Sequence, residues 1–119
     1  MSTESAVTES IVNGHLQAFL EQKDIADILI DFDENARLLT QGRIYCGKAE
    51  IHEFFVDFIG SLPAGAIDQL SLKSSQIDGD TAFITWGVGE EIPLGADTFV
   101  LNNGKIVIHS FAMHAAAAQ

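Results

Sequence analysis

The chain has 119 residues, 47% of them hydrophobic, which suits one domain spanning 1–119 with a real core and excludes general disorder. Six basic residues against 17 acidic ones give a net charge of −11, which repels phosphate backbones and anionic lipid and argues against nucleic-acid and membrane partners. Cys46 is the only cysteine, no apolar run approaches the roughly 20 residues of a membrane span, and the polar start MSTESAVTES lacks the basic opening of a signal peptide, so the expected location is cytoplasmic.

A first helix is expected from a Thr3 cap to about Gln22, with Val12, Leu16, Phe19 and Leu20 at helical spacing and Ile11 and His15 beside them. Gly14 inside it costs about 1 kcal/mol relative to alanine and suggests close packing. Asp24 fits an N-cap for a short second helix, whose apolar face is Ile25, Ile28, Leu29 and Phe32 and whose back is acidic, Asp27, Asp31, Asp33 and Glu34. Ala36–Thr40 and Arg43–Cys46 read as short strands flanking Gln41-Gly42. GKAE then opens a third helix. Glu50 lies in its first turn, where a carboxylate meets the positive end of the helix dipole, and Ile51, Phe54, Phe55, Phe58, Ile59 and Leu62 form a wide stripe ended by Pro63 and Gly65.

After that the period turns to two. Ile67–Ile77, a turn at Asp78-Gly79-Asp80, Thr81–Val88, a loop at Pro93–Gly95, Asp97–Leu101, a turn around Asn103-Gly104 and Lys105–Met113 give four strands. The order α-α-β-β-α-β-β-β-β predicts an α+β domain, three helices packed on a curved antiparallel (mixed) sheet. Apolar residues of both parities in 67–77 and 81–88 imply that the second sheet face is covered too, most simply in a homodimer.

Three runs resemble the nuclear transport factor 2-like superfamily, and within it the SnoaL-like group related to polyketide cyclases and ketosteroid isomerase. DILIDFDENARLL resembles its passage from second helix to strand, IYCGKAEIHEFF its entry into the third helix, and DTFVLNNGKIVIHSF its closing hairpin. The resemblance implies a cone-shaped fold with a ligand pocket between the concave sheet face and the helices. Carried over position by position, its wall would comprise His15 or Leu16, Phe19, Tyr45, Phe55, Trp86, Asp97, Phe99, His109, Phe111 and Met113. Such a wall suits a small hydrophobic molecule held by one or two hydrogen bonds. At the position of Asp97, ketosteroid isomerase keeps a protonated acid that donates to an oxyanion. The isomerase base falls at Thr40 and its tyrosine near Leu16, while Phe111 stands where the cyclases have an acid. Those chemistries are therefore not carried over.

Asp97 and His109 remain as a possible acid/base couple, the carboxylate fixing the imidazole tautomer. The opposing reading makes Asp97 a solvent cap and His109 a satisfied core or interface histidine. The outcome depends on the hairpin register. A two-residue turn at Asn103-Gly104 sets the two on opposite faces, and a three-residue loop with a bulge sets them on one face, in a row with Leu101, Val107 and Phe111. No cofactor motif is found, and the histidines at 15, 52, 109 and 114 have no metal-ligand spacing. The readings left are an acid/base enzyme on a small apolar molecule, or a non-catalytic ligand-binding or dimerisation module.

Overall fold

A computed structural model describes residues 3–115. Helix α1 (Thr3–Leu20) and a single turn α2 (Ile25–Ile28) precede strands β1 (Phe32–Leu39) and β2 (Ile44–Cys46). Helix α3 (Gly47–Ser61) follows, then a 3₁₀ turn (Ile67–Gln69) and strands β3 (Leu70–Asp78), β4 (Thr81–Val88), β5 (Ile92–Asn102) and β6 (Lys105–His114). The strands form one sheet in the order β2-β1-β6-β5-β4-β3. β1 and β6 pair in parallel and every other pair is antiparallel. The helices cover one face, and the core of Val12, Phe32, Leu38, Ile51, Phe55, Ile84, Phe99 and Ile106 lies between. No helix among the described residues is long and apolar enough to cross a membrane.

α1 buries Ser5, Thr8, Val12, His15 and Phe19 along one stripe, a face that starts polar and ends aromatic. The polar end is tied to the β3–β4 turn, where the Thr8 hydroxyl donates to Gly79 O at 2.7 Å and Ser5 Oγ accepts the Gly79 N–H at 2.9 Å. These bonds satisfy the buried hydroxyls and set the height of His15 over the sheet. The helix stops at Leu20 rather than Gln22. Gly14 is exposed with nothing near its absent Cβ, so it serves no close approach.

Further expectations are corrected. The second helix ends at Ile28, and Phe32 already begins β1 opposite Ile106. The acidic back of that helix therefore divides, with Asp33 and Glu34 in the strand. Long-range pairing to β6 outweighs a weak local helix of one turn, which could not persist alone. Asp24 caps α2 through its backbone carbonyl, which accepts the N–H groups of Asp27 and Ile28, and not through its carboxylate. Pro93–Gly95 is strand, because β5 begins at Ile92 and pairs Gly95 with Trp86 and with Met113. Ile67–Gln69 is 3₁₀ helix before β3 begins. By contrast α3 forms as expected. Glu50 there accepts the Cys46 N–H at 2.9 Å and holds Arg43 at 3.3 Å.

The closing hairpin combines both registers considered for it. Asn103 and Gly104, at φ 53° and 74°, make a two-residue turn, and Asn102 faces Lys105. Leu101 faces Ile106, yet Val100 faces Ile108, so Val107 is an extra residue. This bulge sits inside the strand, beyond the turn. It reverses the alternation, so that Ile106 and not Val107 takes the inward place beside Leu101. Beyond it Phe99 faces His109 and Asp97 faces Phe111, with all four on the concave face.

Candidate functional site

β5 carries Asp97 between two strands that each send a polar side chain diagonally towards it. On one side Trp86 sits opposite Gly95, two residues away on the same face, and its indole lies against that glycine. On the other side His109 sits opposite Phe99, with the two rings stacked at 4.3 Å. Diagonal cross-strand neighbours are within reach of long side chains. Trp86 Nε1–H donates to Asp97 Oδ1 at 2.7 Å, and His109 Nε2 lies 2.6 Å from Asp97 Oδ2. Asp97 is 8% exposed and His109 1%.

The protonation pattern follows from the partners. An indole nitrogen only donates, so Oδ1 accepts. His109 Nδ1 is buried with no hydrogen-bond partner among the described residues. A proton there would be an unpaired buried N–H, so the pattern that leaves least unsatisfied is an Nε2–H imidazole donating to an ionised Asp97. Asp97 is thus an acceptor, held by two N–H donors. This departs from the isomerase-like arrangement that the resemblance implied for this position, a protonated acid donating a hydrogen bond.

His15 completes the polar set. Its Nδ1 lies 3.0 Å from Ile28 O, and because a carbonyl only accepts, Nδ1 carries the proton and Nε2 the lone pair. Phe32, Phe55, Phe99 and His109 meet its ring edge-on at 5.3–5.9 Å. Burial pushes its pKa down to about 4. The folded protein holds this ring neutral, whereas an unfolded chain protonates it near 6.5. Between those values the unfolded state binds more protons, so stability falls as pH drops from about 6.5 to about 4, by roughly 3 kcal/mol in all. Urea midpoints at pH 7 and pH 4.5 measure the loss. His15→Gln should lack most of the His15 share of that slope, and an unchanged slope in the variant refutes it.

A cavity of about 130 Å³ opens between α1, α3 and the concave sheet face. Of the residues expected to line it, His15, Phe19, Phe55, Trp86, Asp97, His109 and Phe111 do so, together with Leu16. Phe99 lies beneath, fully buried against His109. Tyr45 is placed elsewhere, packed edge-on against Phe54 at 5.3 Å with the Arg43 guanidinium 4.0 Å over its ring. Met113 is half-buried opposite Gly95 and does not line the cavity. Thr40 also lies off the cavity, its hydroxyl donating to Arg43 O. Phe111, at the position of the cyclase acid, does face it.

The sequence reading missed Leu20, Phe54, Phe58, Leu70, Leu72 and Ile84, which supply the rest of the wall. Phe54 and Phe58 were visible in the α3 stripe. Their stacking on each other and edge-on contacts with Phe111 turn one end of that stripe into cavity wall. It also missed Gly95, whose lack of a side chain makes room for the Trp86 indole.

No family model matches the chain, and no curated protein does. Its shape does match solved structures. A nuclear transport factor 2-like protein of unknown function from Burkholderia xenovorans LB400 superposes with a TM-score of 0.79 at 16% identity, covering 99% of this chain and 91% of that one. Another from Mesorhizobium loti gives 0.77 at 17% identity, covering 97% of each chain. A de novo designed protein with a curved β-sheet gives 0.76 at 19% identity, covering 96% of this chain and 88% of that one. The chain therefore has the nuclear transport factor 2-like fold. A fold of this kind does not by itself assign an activity.

Proposed function

We propose that this protein binds a small, mostly apolar molecule in the cavity between α1, α3 and the sheet, with Asp97 and His109 as its polar anchor. The observation that supports this most is the placing of a buried, hydrogen-bonded carboxylate–imidazole pair on the wall of an otherwise apolar cavity. A buried pair of this kind adds little to stability compared with well-packed apolar groups, so stability alone does not account for it. The volume is roughly what a single aromatic ring needs. Toluene at saturating concentration should raise the melting temperature by a few degrees. Leu16→Trp, which narrows the cavity, should remove the effect. Equal shifts in both proteins, or none in either, rule the reading out.

Acid/base catalysis is the second reading, favoured by the ionised Asp97 and the bare Nε2 of His15 on one cavity. Asp97 would take the proton and His109 would position it. Once a converted substrate is found, Asp97→Asn should abolish turnover while the substrate still binds. Retained turnover eliminates this role.

We infer also that the convex sheet face joins two copies. Phe83, Thr98, Ser110, Leu39 and Ile44 pair in one uncharged row across it, and Phe83 and Ile44 are 41% and 54% exposed. Exposed apolar side chains at both ends of an uncharged row fit an interface. Phe83→Glu should convert a sedimenting dimer to monomer. A wild-type protein that sediments as a monomer at micromolar concentration disproves the pairing.

A further inference from the structure

The polar groups of the cavity are all acceptors. Trp86 Nε1–H and His109 Nε2–H are both spent on Asp97, and His15 Nδ1–H is spent on Ile28 O. Among the described residues no Lys or Arg lines the cavity, and the other lining side chains are Leu, Ile and Phe. What the side chains offer a guest is the remaining lone pairs of the Asp97 carboxylate and the Nε2 lone pair of His15. A carboxylate or an enolate-like oxygen would meet no side-chain donor there and would face a like charge.

The charge balance points the same way. With His109 neutral, for want of any partner at Nδ1, the pair carries one negative charge beside apolar walls. A cation would neutralise it. Phe54, Phe58, Phe111 and Trp86 make the wall aromatic, a lining that tolerates a cation better than an anion, and a net charge of −11 draws cations towards the protein.

We propose that the cavity selects a small apolar amine, bound as its ammonium, with Asp97 as the counter-charge. This rests on the ligand-binding reading above and names the class of ligand. Four single-ring probes of similar size separate the cases by calorimetry: benzylamine, benzyl alcohol, toluene and benzoate. Benzylamine, protonated at neutral pH as alkyl amines are, should bind at least about tenfold tighter than toluene, because hydrogen bonds to charged groups contribute about 1.5–3 kcal/mol. Benzoate should bind weakest. Asp97→Asn should bring benzylamine to within about threefold of toluene. Benzyl alcohol binding as tightly as benzylamine, benzoate binding more tightly, or an amine preference that survives in Asp97→Asn overturns the proposal. The wild-type ranking stands whether or not the variant folds. If toluene binds and the preference is absent, only the amine inference fails. If none of the four binds, the ligand-binding reading itself fails.

Discussion

Asp97→Ala is expected to lower folding stability by roughly 2–6 kcal/mol, one of the largest effects of any single change at the site. The carboxylate is the shared acceptor of two N–H groups, Trp86 Nε1–H at 2.7 Å and the His109 nitrogen at 2.6 Å. Removing it leaves both donors unpaired, and each such group costs about 1–3 kcal/mol. Asp97→Asn should cost less. Its amide oxygen still accepts from Trp86, while its NH₂ demands that His109 accept, which moves the imidazole proton to the unpartnered Nδ1. Trp86 is the only tryptophan, so its fluorescence follows urea unfolding from within the site. If alanine costs under about 1 kcal/mol, Asp97 does not hold the two rings as described.

Gly95→Ala is expected to be nearly as damaging although it adds a single methyl group. A Cβ there would lie 2.2 Å from Cε2 and Cζ2 of Trp86, inside any tolerable contact. The indole would have to swing off β5 and abandon Asp97. Overpacking costs about 1–3 kcal/mol, and the lost hydrogen bond adds about 1–3 kcal/mol more. A double-mutant cycle identifies the cause. In a Trp86→Leu background the added methyl should cost far less, because the smaller side chain leaves room. The same cost in both backgrounds would place the strain elsewhere. Gly95 is thus a positioning residue: its missing side chain lets Trp86 orient the carboxylate.

Much of this was legible from residue order. The α3 stripe from Ile51 to Ile59 formed as read, because a helix satisfies its backbone locally and the 3.6-residue period shows directly which side is buried. The Asp78–Asp80 and Asn103-Gly104 turns were legible for a similar reason, since they need backbone conformations that few residues adopt. The α2–β1 boundary was not legible. Phe32 continues the helical spacing of Ile25 and Ile28, yet β6 claims it through Ile106, some seventy residues later.

Taken alone, the sequence determined the class of fold, the order of its elements, the stripes that make the core and the short set of polar residues worth testing. These follow from local periodicity and turn chemistry. The tertiary structure decided whether Asp97 and His109 meet. One extra residue, Val107, shifts the β5–β6 register and turns His109 to the side of Asp97. A bulge is one extra residue inside a strand, and the alternation on either side of it does not say where that residue falls. It is settled by tertiary partners: Phe32 and Leu38, some seventy residues earlier, in parallel pairing with β6, and Phe99 stacked on the imidazole.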